Sequence, residues 1–157
     1  TDARMDGGGV CVPNRDGRIE QDEIPLRAGL RAIYRATTDV ALDTRGEEVG
    51  DGRRRWDFSG ALPGDRDVLV ETVALDGAWY ESDFTGADYV SALSIQSELL
   101  GVFEIGGGAL RLRGVVSPED GFSRTNLENE PPVDALQFPL EEASEWGSDV
   151  TVARFAL

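Results

Sequence analysis

"VFEIGGGALRLRGVV", residues Val102 to Val116, decides the fold class. After the three glycines, Leu110, Leu112 and Val116 alternate with Ala109, Arg111, Arg113 and Val115. Alternation with a period of two places the two sets on opposite faces of an extended strand. Gly106-Gly107-Gly108 supplies residues that adopt positive φ without a Cβ penalty, as a tight turn requires. The stretch therefore reads as an antiparallel hairpin, and the question is how far its pattern extends.

Upstream, "RDVLVETVALD" (66–76) is rich in Val, Leu and Thr and reads as a strand with both faces partly covered. "GLRAIYRATTDVALDT" (29–44) reads as a bent strand with Tyr34, Ala36, Thr38, Val40 and Leu42 on one face. "GEEVGDG" (46–52) is turn material, and "RRRWDFSG" (53–60) sets Trp56 and Phe58 two apart on a shared face. Asp76-Gly77 makes a hairpin-type turn into "AWYESDF" (78–84). In "TGADYVSALSIQSELLG" (85–101), Thr85 with Asp88 resembles a capping box and Tyr89, Leu93, Gln96 and Leu100 fit one helix face, so a short helix is expected there, with a strand as the alternative that Ile95 and the serine spacing permit. "SPEDGFSRTNLENEPPVDA" (117–135), with Pro131-Pro132, reads as a long polar connection too irregular to join a sheet. "LQFPL" (136–140) and "VTVARFAL" (150–157) complete the set as two short strands.

Strands of this kind, with turn signals every ~8–12 residues, give a mainly β chain: an antiparallel β-sandwich or barrel with at most one short helix. Residues 1–9, with Gly7-Gly8-Gly9, form a flexible lead. Residues 10–157 form a single β domain, either whole or the amino-terminal part of a longer protein. The final "FAL" either ends inside the sheet, continues, or serves a neighbour.

Composition narrows the function. Thirty acidic residues against fifteen basic ones give a formal charge of -15, which repels phosphate backbones and anionic lipid and favours divalent cations. No nucleic-acid partner is expected, and no apolar run reaches the ~18 residues of a membrane span. All fifteen basic residues are Arg, which a GC-rich genome explains more simply than the alternative, a saline habitat where carboxylates stay hydrated. Histidine is absent, removing the usual general base and zinc ligand. Cys11 is alone, so no internal disulfide forms, and a lone thiol is first of all a buried side chain. No catalytic motif emerges, and the chain is expected not to be an enzyme. "TDARMDGGG" lacks a signal-peptide core but suits a tether to an export signal or lipid anchor, which points to an extracellular or cell-surface location.

One stretch resembles a metal site. In "VCVPNRDGRIEQDEIPL" (10–26), setting Gly17 at the invariant glycine of a twelve-residue calcium loop places Asn14, Asp16, the Arg18 carbonyl, Glu20 and Glu23 at ligand positions. Val12 stands where the first aspartate belongs, and Pro25 opposes the helix that would follow. Residues 12–23 thus resemble the solitary loop of dockerin-like modules more than a regulatory EF-hand, and imply one structural Ca2+. The competing reading is an ordinary turn in which Asn14 or Asp16 accepts from nearby backbone.

Other chemistry is weaker. Asp65 with Asp67, Glu81 with Asp83, and Glu141 with Glu142 have the composition of glycosidase pairs but are expected by chance in so acidic a chain. Trp79 and Tyr80, near Phe84 and Tyr89, form a glycan platform if exposed and a core if not. In "RRRW" (53–56) strand geometry splits the arginines between two faces, where acids can pair with them.

"NRDGRIEQDEIPL" (14–26), "RRWDFSG" (54–60), "WYESDFTGADYVSALS" (79–94), "LLGVFEI" (99–105), "ALRLRGVVSPEDG" (109–121) and "LQFPLEEASEW" (136–146) together resemble an uncharacterised family of secreted or lipid-anchored proteins of GC-rich, myxobacterial-type bacteria. The resemblance implies an exported β protein and carries no catalytic residue. The expected role is structural or adhesive. Self-association in an extracellular assembly through donated strands, and a carbohydrate-binding or carbohydrate-active module built on Trp79, Tyr80 and the carboxylates, remain open beside it.

Overall fold

In the computed structural model, residues 16–155 are described. Their strands are β1 (Arg18–Ile19), β2 (Arg31–Ala36), β3 (Glu47–Gly50), β4 (Arg53–Arg55), β5 (Arg66–Val73), β6 (Tyr89–Ala92), β7 (Leu100–Gly106), β8 (Ala109–Val116), β9 (Asn126–Gln137), β10 (Leu140–Glu141) and β11 (Thr151–Phe155). Two short 3-10 helices, Gln21–Glu23 and Glu81–Phe84, are the helical segments among the described residues. The protein is mainly β and every pairing is antiparallel, as the hairpin pattern implied. Residues 16–30 with 72–155 form one compact unit, and residues 31–71 form another.

In the first unit the strand order is β11-β9-β8-β7-β6, with Thr72 and Val73 at the end of β5 pairing to Ser91 and Val90 of β6. The β7–β8 hairpin turns on Gly107 and Gly108, whose φ values of 59° and 74° make the two-residue turn that matches strand twist. Gly106 belongs to β7, paired with Ala109. One face of this sheet is covered by the segment after β5: Leu75, Tyr80 and Phe84 pack with Val90, Val102 and Val116 in a single buried cluster. Gly114 permits that approach, because a Cβ there would lie 2.5 Å from the Phe84 ring and 2.2 Å from the Leu127 carbonyl oxygen.

Three segments depart from expectation. Residues 85–100 are not helical: Asp88 does not cap but accepts from the Ile105 N–H at 2.6 Å, and Tyr89–Ala92 pairs with β7. Downstream, the Ser94 and Ser97 hydroxyls accept from the N–H groups of Gln96, Ser97 and Leu99, and this side-chain competition favours turns over helix. After the Asp76-Gly77 turn, "ESDF" forms a 3-10 helix that delivers Phe84 to the core rather than a returning strand. The connection over 117–135 is overturned in its second half, since the twelve-residue β9 begins at Asn126 and runs through the rest of it. The two prolines fall in a register break, where pairing with β8 jumps from Gly114↔Glu128 to Leu112↔Val133, and pairing with β11 begins only at Glu130. At such a bulge a missing N–H costs no ladder bond.

In the second unit, β2 pairs with Arg66–Glu71 of β5, in register from Arg31↔Glu71 to Ala36↔Arg66. β3 and β4 form a two-stranded ribbon, with Glu47 opposite Arg55 and Glu48 opposite Arg54. The strand read over 29–44 ends at Ala36, and Asp39 turns the chain with φ 59°. None of the buried hydrophobic residues lies in this unit, whereas Ile33, Tyr34, Leu42, Val49, Trp56, Phe58 and Leu69 are all exposed.

Candidate functional site

The acidic loop is closed by its own side chains. Asp16 Oδ1 accepts from the Arg18 N–H at 2.9 Å, and Gly17 takes φ 82°, as position six of a calcium loop would need. Arg18 and Ile19 pair with Glu141 and Leu140, so a strand distant in sequence fixes the loop. Glu23 reaches back to the Glu20 N–H at 2.8 Å, completing a capping box for the 3-10 helix. The Arg18 guanidinium lies 2.9 Å from Glu141 and 3.7 Å from Glu20. Among the described residues no group of three metal-ligating side chains converges. Asn14, the other side-chain ligand expected, lies outside the described residues, as do Val12 and Cys11.

Tyr80, 4% exposed, is a core residue and presents no ring face to a ligand. Burial pushes its hydroxyl pKa up. Trp79 stands edge-on to it, donates its indole N–H to the Ser117 carbonyl at 3.1 Å, and has Arg124 stacked 4.5 Å over its ring. This pair closes the interior. Each carboxylate pair has at least one member engaged: Glu81 accepts from the Gly77 N–H and Asp83 from the buried Asn126 amide, Asp65 accepts from the Leu62 N–H, and Glu141 holds Arg18.

Other aromatic side chains meet solvent, among them Tyr34, Phe122 and Trp146, and two more share one cleft. Trp56 is 49% exposed and Phe58 59%, and both line a cleft of about 230 Å³ with Asp43, Gly46, Glu47, Arg55 and Asp57. Trp56 is held by its indole N–H on the Thr44 carbonyl at 3.0 Å. It also lies directly on Gly46, where a Cβ would come within 2.7 Å of Trp56 Cε2. Arg55 pairs with Glu47 at 2.6 Å, and Arg45 forks onto both oxygens of Asp43 at 3.0 and 3.2 Å. The Arg45 side chain, then its backbone N–H, hold the Asp43 carboxyl below the usual range; the Ser59 hydroxyl and N–H do the same for Asp57. Both groups are fully exposed, so their stabilising contribution is small. It is present above the ordinary aspartate pKa and lost as pH falls through the lowered one.

Two of the "RRRW" arginines are acid-partnered, Arg55 by Glu47 and Arg53 by Asp51 at 3.9 Å, while Arg54, on the other face, donates to the Arg45 carbonyl. No helix among the described residues is long and apolar enough to cross a membrane. No family model, curated protein or solved structure matches this chain.

Proposed function

We propose that this chain is an exported, non-enzymatic β domain with a structural or adhesive role at the cell surface, and that residues 31–71 make its contacts. The observation that carries this reading is the division of apolar side chains. The buried ones all fall in the 72–155 region and none in 31–71, which nonetheless keeps seven large ones in solvent, against eight in the much longer remainder of the described residues. Ile33, 72% exposed, stands directly opposite Leu69, 47% exposed, on the β2–β5 ladder. Burying either fully against a partner would contribute about 1.5–3 kcal/mol, a driving force the free chain forgoes. The resemblance to secreted proteins and the charge of -15 support export and disfavour nucleic acid.

The test is attachment of the purified chain to envelope preparations of the source cell, comparing wild type with Ile33→Glu/Leu69→Glu. Both sites are exposed, so the variant is expected to keep its melting temperature while attachment falls at least about tenfold. Equal attachment of the two proteins would remove 31–71 as the contacting part.

Assembly is the second reading, favoured by β2, which pairs only with β5 among the described strands and so leaves one edge open to a donated strand. A mass independent of concentration would eliminate it.

Calcium on the acidic loop belongs to the structural part of the proposal. It is supported by the positive φ of Gly17 and by Asp16 facing the loop backbone. With one carboxylate missing, the affinity falls in the ~10⁻⁴–10⁻³ M range of extracellular modules. Calcium at millimolar concentration should therefore raise the melting temperature, and Asp16→Ala should cancel the rise. An unchanged wild-type melting curve would leave only the turn.

A further inference from the structure

We propose that the cleft beside the β3–β4 ribbon binds one ring of a neutral saccharide, with Trp56 as the stacking platform. This deepens the adhesive reading and rests on it for its biological setting. Four observations converge.

The first is exposure with rigidity. A tryptophan left half in solvent is free to contact a ligand, yet this one is pinned by Thr44 and Gly46, so little conformational freedom is lost when a ligand arrives. Phe58 adds a second exposed ring to the same cleft. Aromatic faces carry negative quadrupole density, which attracts the weakly positive C–H groups of a sugar face.

The second is size. At about 230 Å³ the cleft is smaller than the ~300–1,000 Å³ that encloses a drug-sized molecule. An open site of that volume suits one unit of a longer chain.

The third is charge. The carboxylates of Glu47 and Asp43 are already neutralised by Arg55 and Arg45. A cationic ligand would have to displace those guanidinium groups. An anionic ligand would meet the Asp57 carboxylate, which is held by Ser59 and not by a guanidinium, on a chain of charge -15.

The fourth is hydrogen-bonding capacity. An ionised carboxylate has about four acceptor sites and a guanidinium five donors, so the paired groups still have lone pairs and N–H groups for hydroxyls. Asp57, oriented by Ser59, adds a further fixed acceptor. Alternating donors and acceptors beside an aromatic face are the complement of a polyhydroxylated ring without net charge.

The test is native affinity electrophoresis of the full chain through gels containing soluble glucan, mannan, galactan or xylan, with alginate as the anionic arm. Retardation is expected in at least one neutral gel and not in alginate. Trp56→Ala should weaken it about tenfold and Phe58→Ala several-fold, with wild-type melting temperatures in both. Gly46→Ala keeps the indole but displaces it, and should also weaken binding, with a shift in tryptophan emission. Wild-type mobility unchanged in all four neutral gels, equal retardation of Trp56→Ala, or retention by alginate alone would each overturn the proposal. Envelope attachment lost in Ile33→Glu/Leu69→Glu but retained in Trp56→Ala, with no gel retardation, would leave the adhesive reading standing without the saccharide.

Discussion

Gly114→Ala is expected to destabilise the 72–155 unit by about 3 kcal/mol or more, a large share of the ~5–15 kcal/mol that holds an ordinary domain together. The added methyl would sit 2.2 Å from the Leu127 carbonyl oxygen and 2.5 Å from Phe84 Cε1. The oxygen cannot withdraw, because Leu127 pairs with Val115 and Glu128 with Gly114 on the same ladder. The ring cannot withdraw either, since Phe84 is held among Leu75, Tyr80, Val90, Val102 and Val116. Urea unfolding followed by tryptophan fluorescence measures the loss. A variant within ~1 kcal/mol of wild type would mean that β8 and β9 separate more easily than their pairing implies.

Phe84→Ala should cost about 3–5 kcal/mol, the range for deleting a buried aromatic side chain with partial collapse of the cavity. The residue is 1% exposed and lies at the end of the 3-10 helix that covers the sheet. Calorimetric melting would report it. A cost under ~1 kcal/mol would show that the covering segment contributes little to the core. The double variant separates the two clashes at Gly114. Removing the ring relieves the contact with Phe84 and leaves the one with the Leu127 oxygen, so the combined loss should be smaller than the sum and still severe.

What the sequence disclosed was local. The β7–β8 hairpin was legible because alternation and two positive-φ glycines lie within one short window. β9 was not, because Pro131-Pro132 signals a break unless one knows that the neighbouring strand slips register at that point. The helix expected over 85–100 failed similarly: Thr85 and Asp88 have capping-box spacing, but Asp88 is claimed by the Ile105 N–H on β7. In the acidic loop the turn chemistry of Asp16 and Gly17 could be read, whereas the closure of Glu23 on the Glu20 N–H and the Arg18–Glu141 pairing required the fold. Trp79 and Tyr80 drew attention as adjacent aromatics, but Tyr80 is interior and Trp79 is half-buried against the core beneath Arg124. Trp56 and Phe58 were seen to share a face. That this face stays wet could not be read, because alternation sorts side chains into two sides without saying which side another layer will cover.

The uneven interior has a consequence for motion. Segments with few buried side chains open at a fraction of the free energy that global denaturation requires, so amide protons of 31–71 should escape protection through small local excursions while those of β7 and β8 wait for the whole molecule. A partner that seats on such a segment must also quiet it. Part of the attraction is then offset by ordering, and the complex releases faster than its contact area alone would suggest.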